Sequence, residues 1–259
     1  MNKLLIVISI VCTTLQLAAQ TKKERKAIRS EKISALIKQE EEGVLIYKKH
    51  TIYGGSITTD GYGGFFEKGI KQDKKKTTLL RIELFEKKHI KEYKTAVSAN
   101  NLGQINSAVY AKLNNFYQLK FGYGLQYLIG SKGNKNGIEV SAVGVGGLSL
   151  GLEKPYYYNV VDNMGKPNKV TFDTDDTVQY TITGASGVTY GLNKTKIKPG
   201  IFVKTGLRFD YGRLNEAVSA VDVGITAEFY SKKIRQMFAL KERQFFFGAY
   251  IAMLIGKRK

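Results

Sequence analysis

Two histidines, His50 and His89, are the side chains of this 259-residue chain best suited to moving a proton near neutral pH. A hydrolase working at a membrane rim would pair such a histidine with Ser, Asp or Glu. The stretch around His89 reads Glu86-Lys87-Lys88-His89-Ile90-Lys91 and carries no signature of that kind, so an exposed loop residue is expected there. His50 falls inside an alternating stretch and reads as a lumen or interface residue. Asp173-Thr174-Asp175-Asp176 offers oxygens to a hard cation but lacks the sharp-turn glycine and closing glutamate of a calcium loop. A solvated acidic loop is the expectation. Gly144, Gly146 and Gly147 superficially fit a dinucleotide loop, yet no helix follows, and they read as strand positions that a neighbour approaches closely. The residue types point to a non-enzymatic protein with no catalytic residue, no metal site and no cofactor.

The remaining chemistry is charge held at every second position. Arg81 and Glu83 alternate with Leu80, Ile82 and Leu84; Lys204, Arg208 and Asp210 with Val203, Leu207 and Phe209; Asp222 and Glu228 with Val223, Ile225 and Phe229. Only a strand puts alternate residues on opposite faces, so these elements are strands with one charged and one apolar side. Residues Tyr117 to Ile129 show the pattern most clearly. Tyr117, Leu119, Phe121, Tyr123, Leu125, Tyr127 and Ile129 share one face, against Gln118, Lys120, Gly122, Gly124 and Gln126 on the other. No helices are available to cover so many apolar faces, and lipid is the alternative cover. A closed barrel turns its apolar residues to the bilayer and its polar ones inward.

Eight strands are expected, at about residues 44–59, 62–71, 77–86, 117–129, 138–152, 201–211, 217–229 and 244–256. The first two are joined at Asp60-Gly61, a strong hairpin signal. Connections 72–76, 131–137 and 212–216 are short, whereas 87–114 and 153–199 are long. Short periplasmic turns, long outer loops and an even strand count are the asymmetry of bacterial outer-membrane barrels. The fold class is therefore all-β, an eight-stranded antiparallel transmembrane barrel. Eight strands leave little free lumen. Arg81, Glu83, Lys120, Glu139, Lys204, Arg208, Asp210, Asp222 and Glu228 are expected to fill it as a paired network, with Arg208 and Lys204 beside Asp222 and Glu228, and the barrel is expected not to conduct.

Residues 1–19 read as a signal peptide: Lys3, the apolar run Leu4–Cys12, then Leu17-Ala18-Ala19 before Gln20. The single cysteine would leave with it. Residues 20–43 have helical composition and Gly43 at their end, which suits a short periplasmic helix, either a solvated lead-in or a docking element. The barrel would occupy 44–259. A formal charge of +19 calls for an anionic partner. An exported protein seldom meets nucleic acid, so the partner is outer-membrane lipid, including lipopolysaccharide phosphates. Lys87, Lys88, Lys91 and Lys94, with Lys232, Lys233, Arg235, Lys241 and Arg243, fall in outer connections and are expected at that headgroup plane. Lys74 to Lys76 and Lys257-Arg258-Lys259 would meet the inner leaflet. Tyr156, Tyr157 and Tyr158 suit either an interfacial girdle or a partner-binding patch.

With the strands placed, the chain resembles small eight-stranded outer-membrane proteins of the OmpA-transmembrane-domain and OmpX type, over about residues 44–259. The run Phe246-Phe247-Gly248-Ala249-Tyr250-Ile251-Ala252-Met253 is similar to the terminal signal that barrels present to their assembly machinery, although here the chain continues to Lys259. Gly54-Gly55, Asp60-Gly61-Tyr62-Gly63 and Lys87-Lys88-His89-Ile90-Lys91-Glu92 resemble an uncharacterised Bacteroidota family of such barrels. That resemblance implies an integral protein of the Gram-negative outer membrane. It also implies an accessory role beside other outer-membrane or periplasmic proteins, in an assembly or secretion complex.

Overall fold

The structure is a computed structural model that describes residues 48–73, 75–99, 105–132, 137–172, 181–212, 217–238 and 240–259, with Ser30 and Ser34. The chain divides into two units, Met1–Ile46 and Tyr47–Lys259. In the first, Ser30 and Ser34 are helical. The signal peptide and the rest of the expected helix lie outside the described residues.

The second unit holds β1 (Lys49–Thr58), β2 (Gly61–Lys71), β3 (Lys76–Lys87), β4 (Lys94–Ala99), β5 (Ile105–Val109), β6 (Asn114–Gly130) and β7 (Glu139–Pro155). There follow β8 (Tyr157–Val161), β9 (Pro167–Thr171), β10 (Thr181–Ala185), β11 (Lys196–Asp210), β12 (Ala217–Ile234) and β13 (Arg243–Arg258). Eight of these close a barrel in the order β1-β13-β12-β11-β7-β6-β3-β2, every pair antiparallel. Closure matters because it leaves no strand edge unpaired in the bilayer.

Alternation along the strands sets the two surfaces. In β13, Phe245, Phe247, Ile251, Met253 and Ile255 are exposed while Phe246, Tyr250, Ala252 and Leu254 are buried. In β3, Leu80, Ile82 and Leu84 face out while Arg81, Glu83 and Phe85 face in. The buried layer is thus the lumen, where glycines make room for larger neighbours. A Cβ at Gly69 would meet the ring of His50, so this glycine is what admits the imidazole to the interior.

The strands run further than expected on the side of the long connections. β6 begins at Asn114, β7 continues to Pro155, β11 starts at Lys196 and β12 extends to Ile234. The two long outer connections also contain structure of their own. β4 and β5 form a hairpin, and β8, β9 and β10 form a three-stranded sheet ordered β10-β8-β9. Ala108, Tyr158 and Val160 make a small core between them, with Val97, Tyr156, Val170, Phe172 and Ile182 packed against it. The β12–β13 connection joins this cap. Met237 bridges Lys112, Leu113 N donates to Gln236 O at 2.9 Å, and Phe238 N donates to Ala111 O at 2.9 Å. Such loops satisfy their backbone groups against one another rather than in water.

Candidate functional site

The lumen holds a dense network of buried charge. Glu67, on β2, is fully buried and sits at the hub. Arg81, reaching from the adjacent β3, donates Nε to its carboxylate at 2.8 Å, and a second Arg81 nitrogen also contacts it. Arg208, from β11 across the barrel, donates Nη1 and Nη2 to the same carboxylate at 2.8 and 3.1 Å. Arg208 further binds Asp222 through Nε at 2.8 Å and Nη2 at 3.0 Å. His50 Nε2 lies 3.3 Å from Glu67 Oε1.

Two further groups extend this hub towards the cap. Lys204 Nζ donates to Glu83 Oε1 at 3.0 Å, and its ammonium stands 4.1 Å from the centre of the Tyr250 ring. Lys120 Nζ donates to Glu228 at 2.5 Å, and Gln118 Nε2 donates to the same carboxylate at 2.6 Å. Tyr230 closes that end through Ser149 at 2.8 Å and meets Phe116 and Phe246 edge-on, while those two rings stack on each other. At the opposite mouth Arg258 Nη2 binds Asp210 at 2.6 Å and lies 3.5 Å from Glu139. A buried charge is tolerated when it is paired and hydrogen-bonded, and these charges are.

The sequence-derived lumen residues Arg81, Glu83, Lys120, Lys204, Arg208, Asp210, Asp222 and Glu228 are all buried, and Glu139 is partly so at the mouth. Their pairing differs from expectation in part. Arg208 does lie opposite Asp222, but Lys204 lies opposite Thr226 and pairs across the lumen with Glu83, leaving Glu228 to Lys120. Reading neighbouring strands alone overlooks partners that a closed interior brings together. Glu67 was not foreseen either. Its strand reads GYGGFFEKGIK, where paired Gly and Phe residues blur the phase that assigns Glu67 and Phe65 inward.

Outside, Phe121, Tyr123, Leu125, Tyr127 and Ile129 are exposed, with Tyr117 and Leu119 half-buried on the same face. Together with the outward residues of β3, β11, β12 and β13 they form an apolar surface that water would not tolerate at this extent. It is the exterior of a membrane barrel.

Among the expected headgroup contacts, Lys91, Lys94, Lys232, Lys233, Lys241 and Arg243 are exposed, and Lys88 and Arg235 partly so. Lys87 is a correction: it is turned inward and buried, 2.7 Å from Asp60 and 3.5 Å from Glu228. Its place at the end of β3 keeps it in phase with Arg81 and Glu83, and the cap continues above it, so the lumen reaches it before solvent does. Arg258 likewise faces the lumen instead of the inner leaflet, because β13 runs through it. Tyr158 belongs to the cap core. Its hydroxyl donates to Val109 O at 2.6 Å and accepts from Lys112 N at 2.9 Å, and burial pushes its ionisation well up. Lys112 is buried beside it and paired with Glu92, and burial lowers its proton affinity.

His89 is in the outer connection after β3, where its Nδ1 accepts from Lys91 N at 3.1 Å. Partial burial, then Arg243 and Lys91, hold its pKa below the ordinary 6.5. Among the described residues there is no group of three or more His, Cys, Asp or Glu able to hold a metal. The Asp173–Asp176 cluster lies outside the described residues.

No protein-family model matches the chain, and no curated protein matches it. Solved structures similar to it include Ail, the attachment invasion locus protein of Yersinia pestis, at 11% identity and TM-score 0.42, covering 83% of this chain and 100% of that one. A major outer membrane protein from Thermus thermophilus is 9% identical with TM-score 0.41, covering 80% and 98%. Neisserial surface protein A is 9% identical with TM-score 0.38, covering 82% and 96%.

Proposed function

We propose that this chain is a non-enzymatic, non-conducting barrel of the Gram-negative outer membrane that serves as a structural or accessory subunit of a larger assembly. The observation that carries this reading is the filled lumen beneath a packed cap. A transport path would need free polar volume, and here Glu67, Arg81, Arg208, Asp222, Glu83, Lys204, Lys120 and Glu228 consume one another's charge. An enzyme would need an unengaged nucleophile, base or metal group at an accessible rim. His89 instead stands among cations with its Nδ1 occupied. What remains available for function is surface, and the cap presents Ile90, Tyr93, Tyr110, Met164 and Phe238 to the outside. Apolar groups on an ordered scaffold suit contact with another protein.

The test is gentle extraction of a tagged chromosomal copy in mild detergent, followed by identification of what co-elutes. A reproducible complex of fixed stoichiometry supports the accessory role. A lone, heat-modifiable species of about 27 kDa, allowing about 110 Da for each residue left after signal removal, refutes it. That second outcome would favour a free-standing barrel that holds lipopolysaccharide, a reading supported by the exposed cations of the β12–β13 rim.

A further inference from the structure

The outer end of the barrel is not equally tall all round. β1 and β2 are joined by the tight turn at Thr59-Asp60, while the neighbouring outer connections carry the cap. Beside this low wall, at the mouth of β12 and β13, lies an open depression of about 630 Å³. Its floor is aromatic. Phe229 and Phe245 are directly opposed on neighbouring strands, Phe247 follows, and all three are exposed on the bilayer side. Its upper edge is cationic, formed by Lys233, Lys241 and Arg243.

These three cations are not held by a carboxylate among the described residues. Of the two acids at the edge, Asp60 is engaged by Lys87 at 2.7 Å and Glu242 faces Arg235 at 3.8 Å. Burial, and after it the charge of Arg243, lowers the proton affinity of His89. Lys88, whose ammonium sits 4.8 Å from the Tyr62 ring, flanks the same side. Exposed rings beneath unpaired cations at the end of a membrane wall match an amphiphile with acyl chains below and phosphate above.

We infer that this depression is a binding site for the phosphorylated headgroup of an outer-leaflet glycolipid of the lipid A class. Arg243 supplies a planar fork to one phosphate, Lys233 and Lys241 supply point charges, and Phe229, Phe245 and Phe247 lie along the acyl chains. The inference rests on the outer-membrane placement proposed above and is independent of whether a partner complex exists.

The experiment measures lipid retained per purified barrel in phosphatidylethanolamine nanodiscs doped with lipid A carrying two phosphates. Lipid A stripped to one phosphate and phosphatidylglycerol serve as competitors. The triple variant K233E/K241E/R243E is compared with K166E/K169E/K194E, an equal charge change on the cap. Loss of roughly fivefold for each cation at an anionic surface sets the expected drop at about a hundredfold or more. The cap variant is expected to stay within about threefold, because none of its three lysines lines the depression, with phosphatidylglycerol a poor competitor. Equal loss in both triples, or equal competition by phosphatidylglycerol, overturns the site. Should the first triple fail to show heat-modifiable mobility, K233Q/K241Q/R243Q is measured in its place, and retention equal to the parent overturns the site. Membrane fractionation of the parent is read separately: a chain found outside the outer membrane refutes the placement and not the chemistry of the depression.

Discussion

Replacing Glu67 with Gln should be the most damaging near-isosteric change available in the lumen. The carboxylate accepts from both Arg81 and Arg208 and lies beside His50. At the hub, the guanidiniums of Arg81 and Arg208 face the carboxylates of Glu67 and Asp222. After Glu67→Gln the same two cations share Asp222 alone, since Glu83 is also claimed by Lys204. The new amide also presents hydrogens to a guanidinium. Removing one partner of a buried pair costs about 3–5 kcal/mol, a large part of the ~5–15 kcal/mol that holds a typical domain. The assay is urea unfolding of the chain refolded in lipid vesicles, followed by far-ultraviolet circular dichroism and by unheated gel mobility, since the chain has no tryptophan. A second change, Arg81→Met on the Glu67→Gln background, removes the surplus cation and should recover about half of the loss. A loss below about 1 kcal/mol for Glu67→Gln, or a double variant weaker than the single, would refute the charge accounting.

Lys87→Ala should destabilise the barrel by about 3 kcal/mol, because it removes the cation from Asp60 and takes one of two cations from Glu228, which keeps Lys120. Exposed Lys91→Ala should stay within about 0.5 kcal/mol of the parent by the same unfolding measurement. Tyr158→Phe removes the hydroxyl shared by Val109 and Lys112 and should loosen the cap by about 1–3 kcal/mol. Limited proteolysis then cuts the segments 88–113 and 156–195 faster while the barrel strands resist, and an unchanged cutting rate would refute this. His89 should titrate below 6.5, as followed by its ring proton resonances, and rise part of the way back when Arg243 becomes Gln. Its folded pKa lies below its unfolded one, so the unfolded chain binds more protons between the two. Stability therefore carries no His89 penalty above pH 6.5 and falls as pH drops below that value. Planar bilayers should show no large unitary conductance from the purified barrel, and well-resolved large steps would refute the filled lumen.

Much of the fold was legible because a strand repeats every two residues, and a two-residue repeat is a local property of sequence. The alternation at Leu80–Leu84, Tyr117–Ile129 and Val221–Phe229 assigned inward and outward faces without knowledge of any partner. The Asp60-Gly61 pair signalled the first hairpin, although the turn itself lies one residue earlier, at Thr59-Asp60, and Gly61 already belongs to β2, paired with Thr58. Strand ends were less legible. Lys196–Pro199 was read as loop, yet it lies in β11 opposite Leu150–Glu153. The hairpin β4–β5 and the sheet β8–β10 were read as loops as well. Their apolar residues form a face only when three separate connections meet, as Tyr158 shows by bonding Val109 and Lys112.

The sequence by itself determined that strands would close into a lipid-covered barrel with charge inside, since both the side-chain period and the apolar excess are written residue by residue. Only the tertiary structure decided which charges meet. Arg208 reaches Glu67 over a separation of 141 residues, and Lys204 reaches Glu83 over 121. Those partners follow from closure and stagger of the strands, which bring opposite walls within a side chain's reach. The same geometry turned Lys87 from an expected surface cation into a buried one, because a position's phase is local but what stands above it is not.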